Sequence, residues 1–139
     1  QASDTFEDHQ LIFDEPLSAE RHLLKDGLYT SETETVLTES ATLPLHYEWF
    51  DKDAMVFKHL KATSVQLRGP GSQSLDFQFT GFPYLGIWTK RNAPFICIEP
   101  WFGLADYDHH QQDIFEKQGI QVIESKETFT CHYSMTLNP

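Results

Sequence analysis

The residue best suited to chemistry is a glutamate standing where an apolar residue is expected. Phe95-Ile-Cys-Ile98 reads as a short apolar strand, and Glu99 follows it directly. Pro100 has no N–H to give a sheet ladder, so the pattern predicts a strand from Phe95 to Glu99 that stops there. By the two-residue alternation of a strand, Glu99 shares a face with Phe95 and Cys97. A carboxylate at the rim of an apolar face, beside Trp101 and Phe102, is partly desolvated. Partial desolvation disfavours the charged form of a carboxyl, which is one way to fit it for acid–base work. The same position also suits a structural carboxylate held by backbone N–H groups at a strand end.

Three other groups carry chemical side chains. In Tyr84-Leu-Gly-Ile-Trp88, Gly86 leaves a notch between two aromatics on one strand face. That notch could seat a sugar ring against Trp88, or Trp88 could simply fill core space. Asp53, in Asp51-Lys-Asp53, reads on its own as a turn aspartate bonding its own backbone. Asp106-Tyr-Asp-His-His110 offers two carboxylates and two imidazoles, but neighbours in extended chain point opposite ways and no i,i+4 histidine pair is present. A solvated loop is therefore expected there, with no metal and no cofactor. His9 reads as an exposed strand residue.

The run Phe82-Pro-Tyr-Leu-Gly-Ile-Trp-Thr-Lys90, followed by Ala93-Pro-Phe-Ile-Cys-Ile-Glu-Pro-Trp-Phe-Gly-Leu-Ala-Asp106, resembles the C-terminal half of bacterial aldose 1-epimerase-like proteins, the galactose mutarotase superfamily. Phe6-Glu-Asp-His-Gln-Leu-Ile-Phe13, Thr42-Leu-Pro-Leu45, Asp53-Ala-Met-Val-Phe57 and the closing strand resemble the family in the same order, so the likeness covers essentially the whole chain. It implies one portion, residues 1–139, of a single all-β domain: an antiparallel β-sandwich of the galactose mutarotase-like kind, present as its C-terminal half. It implies interconversion of the α and β anomers of a hexose, with Glu99 as the base. Asp53 would then hydrogen-bond sugar hydroxyls, and Trp88 and Trp101 join it as substrate-binding candidates. The family's acid is a histidine in a His-Pro segment upstream. This chain has no His-Pro, and its histidines at 9, 22, 46, 59, 109, 110 and 132 do not match that motif.

Three functions follow as expectations. The first is half of an aldose 1-epimerase, inactive alone and partnered by its N-terminal half. The second is a carbohydrate-binding module of the same fold without catalysis. The third is a hexose-6-phosphate epimerase, which requires Lys90 and Arg91 to face the pocket.

The elements that must position these residues are read from periodicity. His9–Phe13 is a strand that Pro16 ends, Arg21–Leu24 is a second short strand, and Asp26-Gly27 is a turn. Residues 30–40 form a solvated strand, and Pro44 to Phe50 suits one helical turn. Ala54–Leu60 is a strand. Thr63–Arg68 and Ser74–Thr80 form a hairpin around Gly69-Pro-Gly71, with Leu75, Phe77 and Phe79 inward. Tyr84–Thr89 is a strand, Lys90–Ala93 a turn, and Gln111–Gln118 a short helix or turn. Ile120–Ile123 is a strand, and the closing strand points Phe129, Cys131, Tyr133, Met135 and Leu137 to one face. Residues 1–8 read as an irregular lead.

Composition narrows the partners. The net charge of −11 opposes nucleic acid and anionic membrane surfaces, and no apolar run reaches the length of a membrane span. Cys97 and Cys131 sit in apolar patterns and read as buried free thiols of a cytoplasmic protein. The first residue is Gln1, which suggests a processed chain or a segment of a longer one. The inward apolar stripes need an opposing sheet; without it, edge-paired homo-oligomers are expected.

Overall fold

Asp26 and Gly27 both have positive φ, 55° and 80°, as a two-residue hairpin turn requires. They join the two longest strands, β1 (Gln10–Lys25) and β2 (Leu28–Pro44), pairing Lys25 with Leu28 and Leu24 with Tyr29. The computed structural model describes residues 5–139, so the first four residues of the irregular lead expected at 1–8 lie outside the described residues; within the rest of it Phe6–Asp8 form a 3₁₀ turn. Six shorter strands follow: β3 (Met55–Lys58), β4 (Ser64–Arg68), β5 (Ser74–Gln78), β6 (Tyr84–Trp88), β7 (Cys97–Trp101) and β8 (Ser134–Asn138). All pair antiparallel in one sheet of order β7-β6-β3-β1-β4-β5-β8, with β2 also on β1. β1 takes β4 against Gln10–Phe13 and β3 against His22, and the sheet curls into a half-barrel. The helical segments among the described residues are 3₁₀ turns, and no helix there is long and apolar enough to cross a membrane.

The curl divides the apolar residues into two clusters. The main core holds Leu11, Phe13, Leu43, Met55, Phe57, Val65, Phe77, Leu85 and Ile87. A smaller one, on the other face of β3 and β6, holds Tyr29, Val56, Tyr84 and Leu104. β3 and β6 are thus covered on both faces, which is why Met-Val-Phe and Tyr-Leu-Gly-Ile read as unbroken apolar runs.

Several local expectations hold. The 64–78 hairpin pairs Val65 with Phe77 and Leu67 with Leu75; Phe77 and Phe79 are buried and Leu75 half-buried. A 3₁₀ turn occupies Tyr47–Phe50, and another occupies Ile114–Glu116.

Others are corrected. Pro16 does not end a strand: β1 runs through it as one 16-residue strand. Its ladder with β2 shifts register between Ile12 and Leu17 and again before Ala19, and such a bulge tolerates a residue without an N–H. Pro100 does not end β7 either; it pairs opposite Leu85, and β7 runs on to Trp101. β7 is an edge strand, so one side of Pro100 needs no ladder partner.

Ile120–Ile123 is not a strand, and the closing strand is cut to Ser134–Asn138. The period-two pattern before Ser134 has no sheet partner among the described residues, and pattern without a partner makes no ladder. The stripe expected to face inward is open, with Tyr133 58% exposed, Met135 60% and Leu137 72%. Cys131 is exposed and Cys97 half-buried, so the thiols are free but not a buried pair.

Candidate functional site

A cavity of about 980 Å³ opens on the face of the smaller cluster. One wall comes from the hairpin, with Leu24 and Tyr29, and the next from Asp53, Ala54 and Val56. Glu99 to Ala105 forms the opposite wall, and Cys131, Tyr133 and Met135 border it. Glu99, Asp53 and Trp101 therefore meet at one cavity although they come from separate parts of the chain.

Glu99 stands opposite Gly86 in the β6–β7 ladder, and strand alternation puts Cys97 and Trp101 on its face. The Trp101 indole N–H donates to Glu99 Oε2 at 3.2 Å. Gly86 makes this possible: a Cβ there would come within 2.6 Å of Trp101 Cζ2. The notch at Gly86 is thus filled by the Trp101 indole, where the sequence reading had it open to a sugar ring against Trp88. Trp88 is not among the cavity-lining residues; it packs with Phe95, ring centroids 5.9 Å apart, against the main core. The Cys97 thiol on the same face is pushed up by burial and by the neighbouring Glu99.

Asp53 combines its two readings. Its φ is 76°, its Oδ1 accepts the Ala54 N–H at 2.7 Å, and its own N–H donates to the Phe50 carbonyl at 3.2 Å. It shapes the turn entering β3 and lines the cavity at once.

Tyr29 was not legible as a site residue. It is 1% exposed, and burial, with Tyr107, Asp53 and Tyr84 adding, raises its phenol well above its ordinary value. It therefore faces the cavity as a neutral group across ordinary pH. Its N–H donates to the Asp106 carbonyl at 2.8 Å, and its carbonyl accepts the Asp108 N–H at 2.9 Å. That bridge spans more than 70 residues of chain, and no local pattern signals it.

In the Asp106–His110 loop, Asp106 pairs with Lys117 at 3.2 Å and His110 Nδ1 accepts the Gln112 N–H at 2.9 Å. No group of three or more His, Cys, Asp or Glu among the described residues is placed to hold a metal. None of the seven histidines lines the cavity. Lys90 and Arg91 lie outside it too; Arg91 is committed to Asp51, with both carboxylate oxygens at 2.8 Å.

No family model matches the chain. It is 31% identical over 137 residues to the plasmid and chromosomal forms of Protein LacX from Lactococcus lactis subsp. lactis, matching 95% of this chain and 46% of theirs. It superposes on a galactose mutarotase related enzyme from Lactobacillus acidophilus with a TM-score of 0.89 and 25% identity, covering 100% of this chain and 48% of that one. A galactose mutarotase-like protein from Lactobacillus casei gives a TM-score of 0.75 and 22% identity over 94% of this chain and 45% of that one. The chain thus spans about half the length of the curated relatives and solved structures it matches. The resemblance read from the sequence is borne out.

Proposed function

We propose that this chain, which has the galactose mutarotase-like fold, supplies the base-bearing half of a cytoplasmic aldose 1-epimerase. The observation that carries the reading is the meeting of Glu99, Asp53 and Trp101 at one cavity large enough for a hexose. Glu99 takes the proton from the C1 hydroxyl through Oε1, because Oε2 already accepts the Trp101 N–H. An acid protonates the ring oxygen, the bond from C1 to the ring oxygen breaks, and the open-chain aldehyde forms. Rotation about C1–C2 and reclosure with the roles reversed give the other anomer. Asp53 bonds a sugar hydroxyl through Oδ2, since Oδ1 holds the turn. The acid histidine comes from a companion N-terminal segment, which is why no imidazole lines the cavity here.

That same lack of an imidazole favours a second reading, a carbohydrate-binding module without catalysis. The hexose-6-phosphate reading loses its support, because Lys90 and Arg91 lie away from the cavity. Polarimetry separates the first two. With the companion segment present, the parent is expected to equilibrate hexose anomers, and Glu99→Gln to slow this by about 10²–10⁴-fold while still binding sugar. Activity of Glu99→Gln within threefold of the parent, on the scale of a general base's worth, refutes the assignment. Sugar binding without anomer exchange in the parent supports the module.

A further inference from the structure

We propose that Lys58 is a positioning residue for this cavity: its ammonium, held by the Tyr29 ring and the Tyr107 hydroxyl, fixes the segment after Trp101 that walls the sugar site beside Glu99. The proposal deepens the epimerase reading and rests on it for the kinetic part of its test.

Lys58 is the last residue of β3, and alternation puts it on the face of Val56, which lines the cavity. Its Nζ lies 4.9 Å from the Tyr29 ring centroid and 4.7 Å from that of Tyr107. It donates to the Tyr107 hydroxyl and, at 3.5 Å, to Gln118 Oε1. An ammonium 4.9 Å over the Tyr29 ring and bonded to the Tyr107 hydroxyl, partly shielded from water, is held by the quadrupole of the one ring and the oxygen of the other. The ammonium is thereby committed, so it is not a free cation for a phosphate.

The segment it holds matters because of where the segment runs. Phe102, Gly103, Leu104 and Ala105 line the cavity directly after Trp101. At its near end the segment is fixed by the β6–β7 ladder, where Trp101 pairs with Tyr84. At its far end the fixed points are the Tyr29–Tyr107 bridge, the Asp106–Lys117 pair and Lys58 itself. Without the ammonium, Tyr29 loses the charge over its ring and Tyr107 the donor to its hydroxyl, and the far end is left on two backbone bonds and the Asp106–Lys117 pair. A wall free to move away from Glu99 costs sugar affinity before it costs proton transfer.

The test uses Lys58→Met, which keeps the stem and removes the charge, and Lys58→Arg, which keeps a cation that can donate to the Tyr107 hydroxyl. With the companion segment present, Lys58→Met is expected to raise KM about tenfold with kcat within about threefold, and Lys58→Arg to recover most of the loss. A merely structural role lowers apparent kcat through the folded fraction and leaves KM alone, so KM of Lys58→Met within about twofold of the parent overturns the proposal. Hydrogen exchange on the 139-residue chain gives a readout independent of activity. Lys58→Met is expected to speed exchange at the Tyr29 and Asp108 amides and not at β4 or β5; unchanged exchange at both amides overturns the proposal. If Lys58→Met does not fold, Tyr107→Phe removes only the hydroxyl acceptor and is read by the same two measurements. A parent that neither binds nor equilibrates sugar overturns the epimerase reading instead, leaving the exchange result to decide whether Lys58 holds the wall.

Discussion

The indole N–H of Trp101 donates to Glu99 Oε2 two residues back along the same edge strand, at 3.2 Å. The bond exists because Gly86 on the neighbouring strand has no side chain beneath the indole. A single sequence feature, glycine between two large aromatics, thus orients the carboxylate that the proposed chemistry needs.

Trp101→Phe keeps a ring over Gly86 and removes the donor. It is expected to cost about 1.5–3 kcal/mol of transition-state stabilisation through a freed Glu99, with stability changed far less. Gly86→Ala drives a methyl into the indole and is expected to destabilise by about 1–3 kcal/mol. Urea unfolding with polarimetry separates the two effects. A Trp101→Phe protein with parental kcat/KM would show that the bond does not matter to catalysis.

Asp53 offers a sharper separation, because its two oxygens have different tasks. Asn tolerates the positive φ of 76° and still accepts the Ala54 N–H. Asp53→Asn is therefore expected to keep the melting temperature and raise KM, by the equivalent of about 1.5–3 kcal/mol for a charged hydrogen bond. Asp53→Ala is expected to lower both stability and affinity. If Asn and Ala lower the melting temperature alike and neither changes KM, the residue serves the turn alone.

What the sequence made legible was local. Asp26-Gly27 and the alternation of residues 64–78 each specify their hairpin without help from distant chain. What it hid was long-range. Pro16 and Pro100 read as strand ends because a lone proline cannot announce that a bulge or an unpaired edge will accommodate it. The alternation from Phe129 onward was real, but only Ser134–Asn138 found β5 to pair with. Glu99 and Asp53 could be named from a resemblance. Trp101 as the ring over Gly86, and Lys58 reaching both Tyr29 and Tyr107, depend on register and crossing that no window of sequence contains.

Arg21 links stability to pH. It is 2% exposed, donates through Nε to Glu34 Oε2 at 2.9 Å and also to the Trp49 carbonyl, and lies over the Trp49 ring. Its hydrogen bond, followed by its charge and that of Lys52, holds the Glu34 carboxyl below its ordinary value. The folded value is thus the lower one. The stabilisation is complete above the ordinary value of about 4.5 and is lost as pH falls through the folded value. Arg21→Met strands the Trp49 carbonyl and is expected to cost about 2 kcal/mol near neutral pH. Glu34→Gln is expected to flatten the stability profile below pH 5, read by urea midpoints against pH. A parental slope in Glu34→Gln would remove Glu34 from the acid transition.

The two ends of the sheet differ in how they are protected. β7 carries Glu99 and Pro100, a charge and a missing donor that discourage another strand from adding. β8 reads Ser134-Met-Thr-Leu-Asn138, with neither charge nor proline, and among the described residues pairs only with β5. Beside that open edge, Tyr133, Met135 and Leu137 present apolar surface to solvent. Both features favour association through β8. The 139-residue chain by itself is therefore expected to form oligomers whose population rises with concentration at micromolar levels in sedimentation velocity. Met135→Lys with Leu137→Lys is expected to return it to monomer, because two charges on one edge strand repel a second copy. Added N-terminal segment is expected to do the same if it covers this stripe. A parent chain that sediments as a monomer across the concentration range would show that the open edge is tolerated, and that the exposed stripe is not the surface on which the companion half must sit.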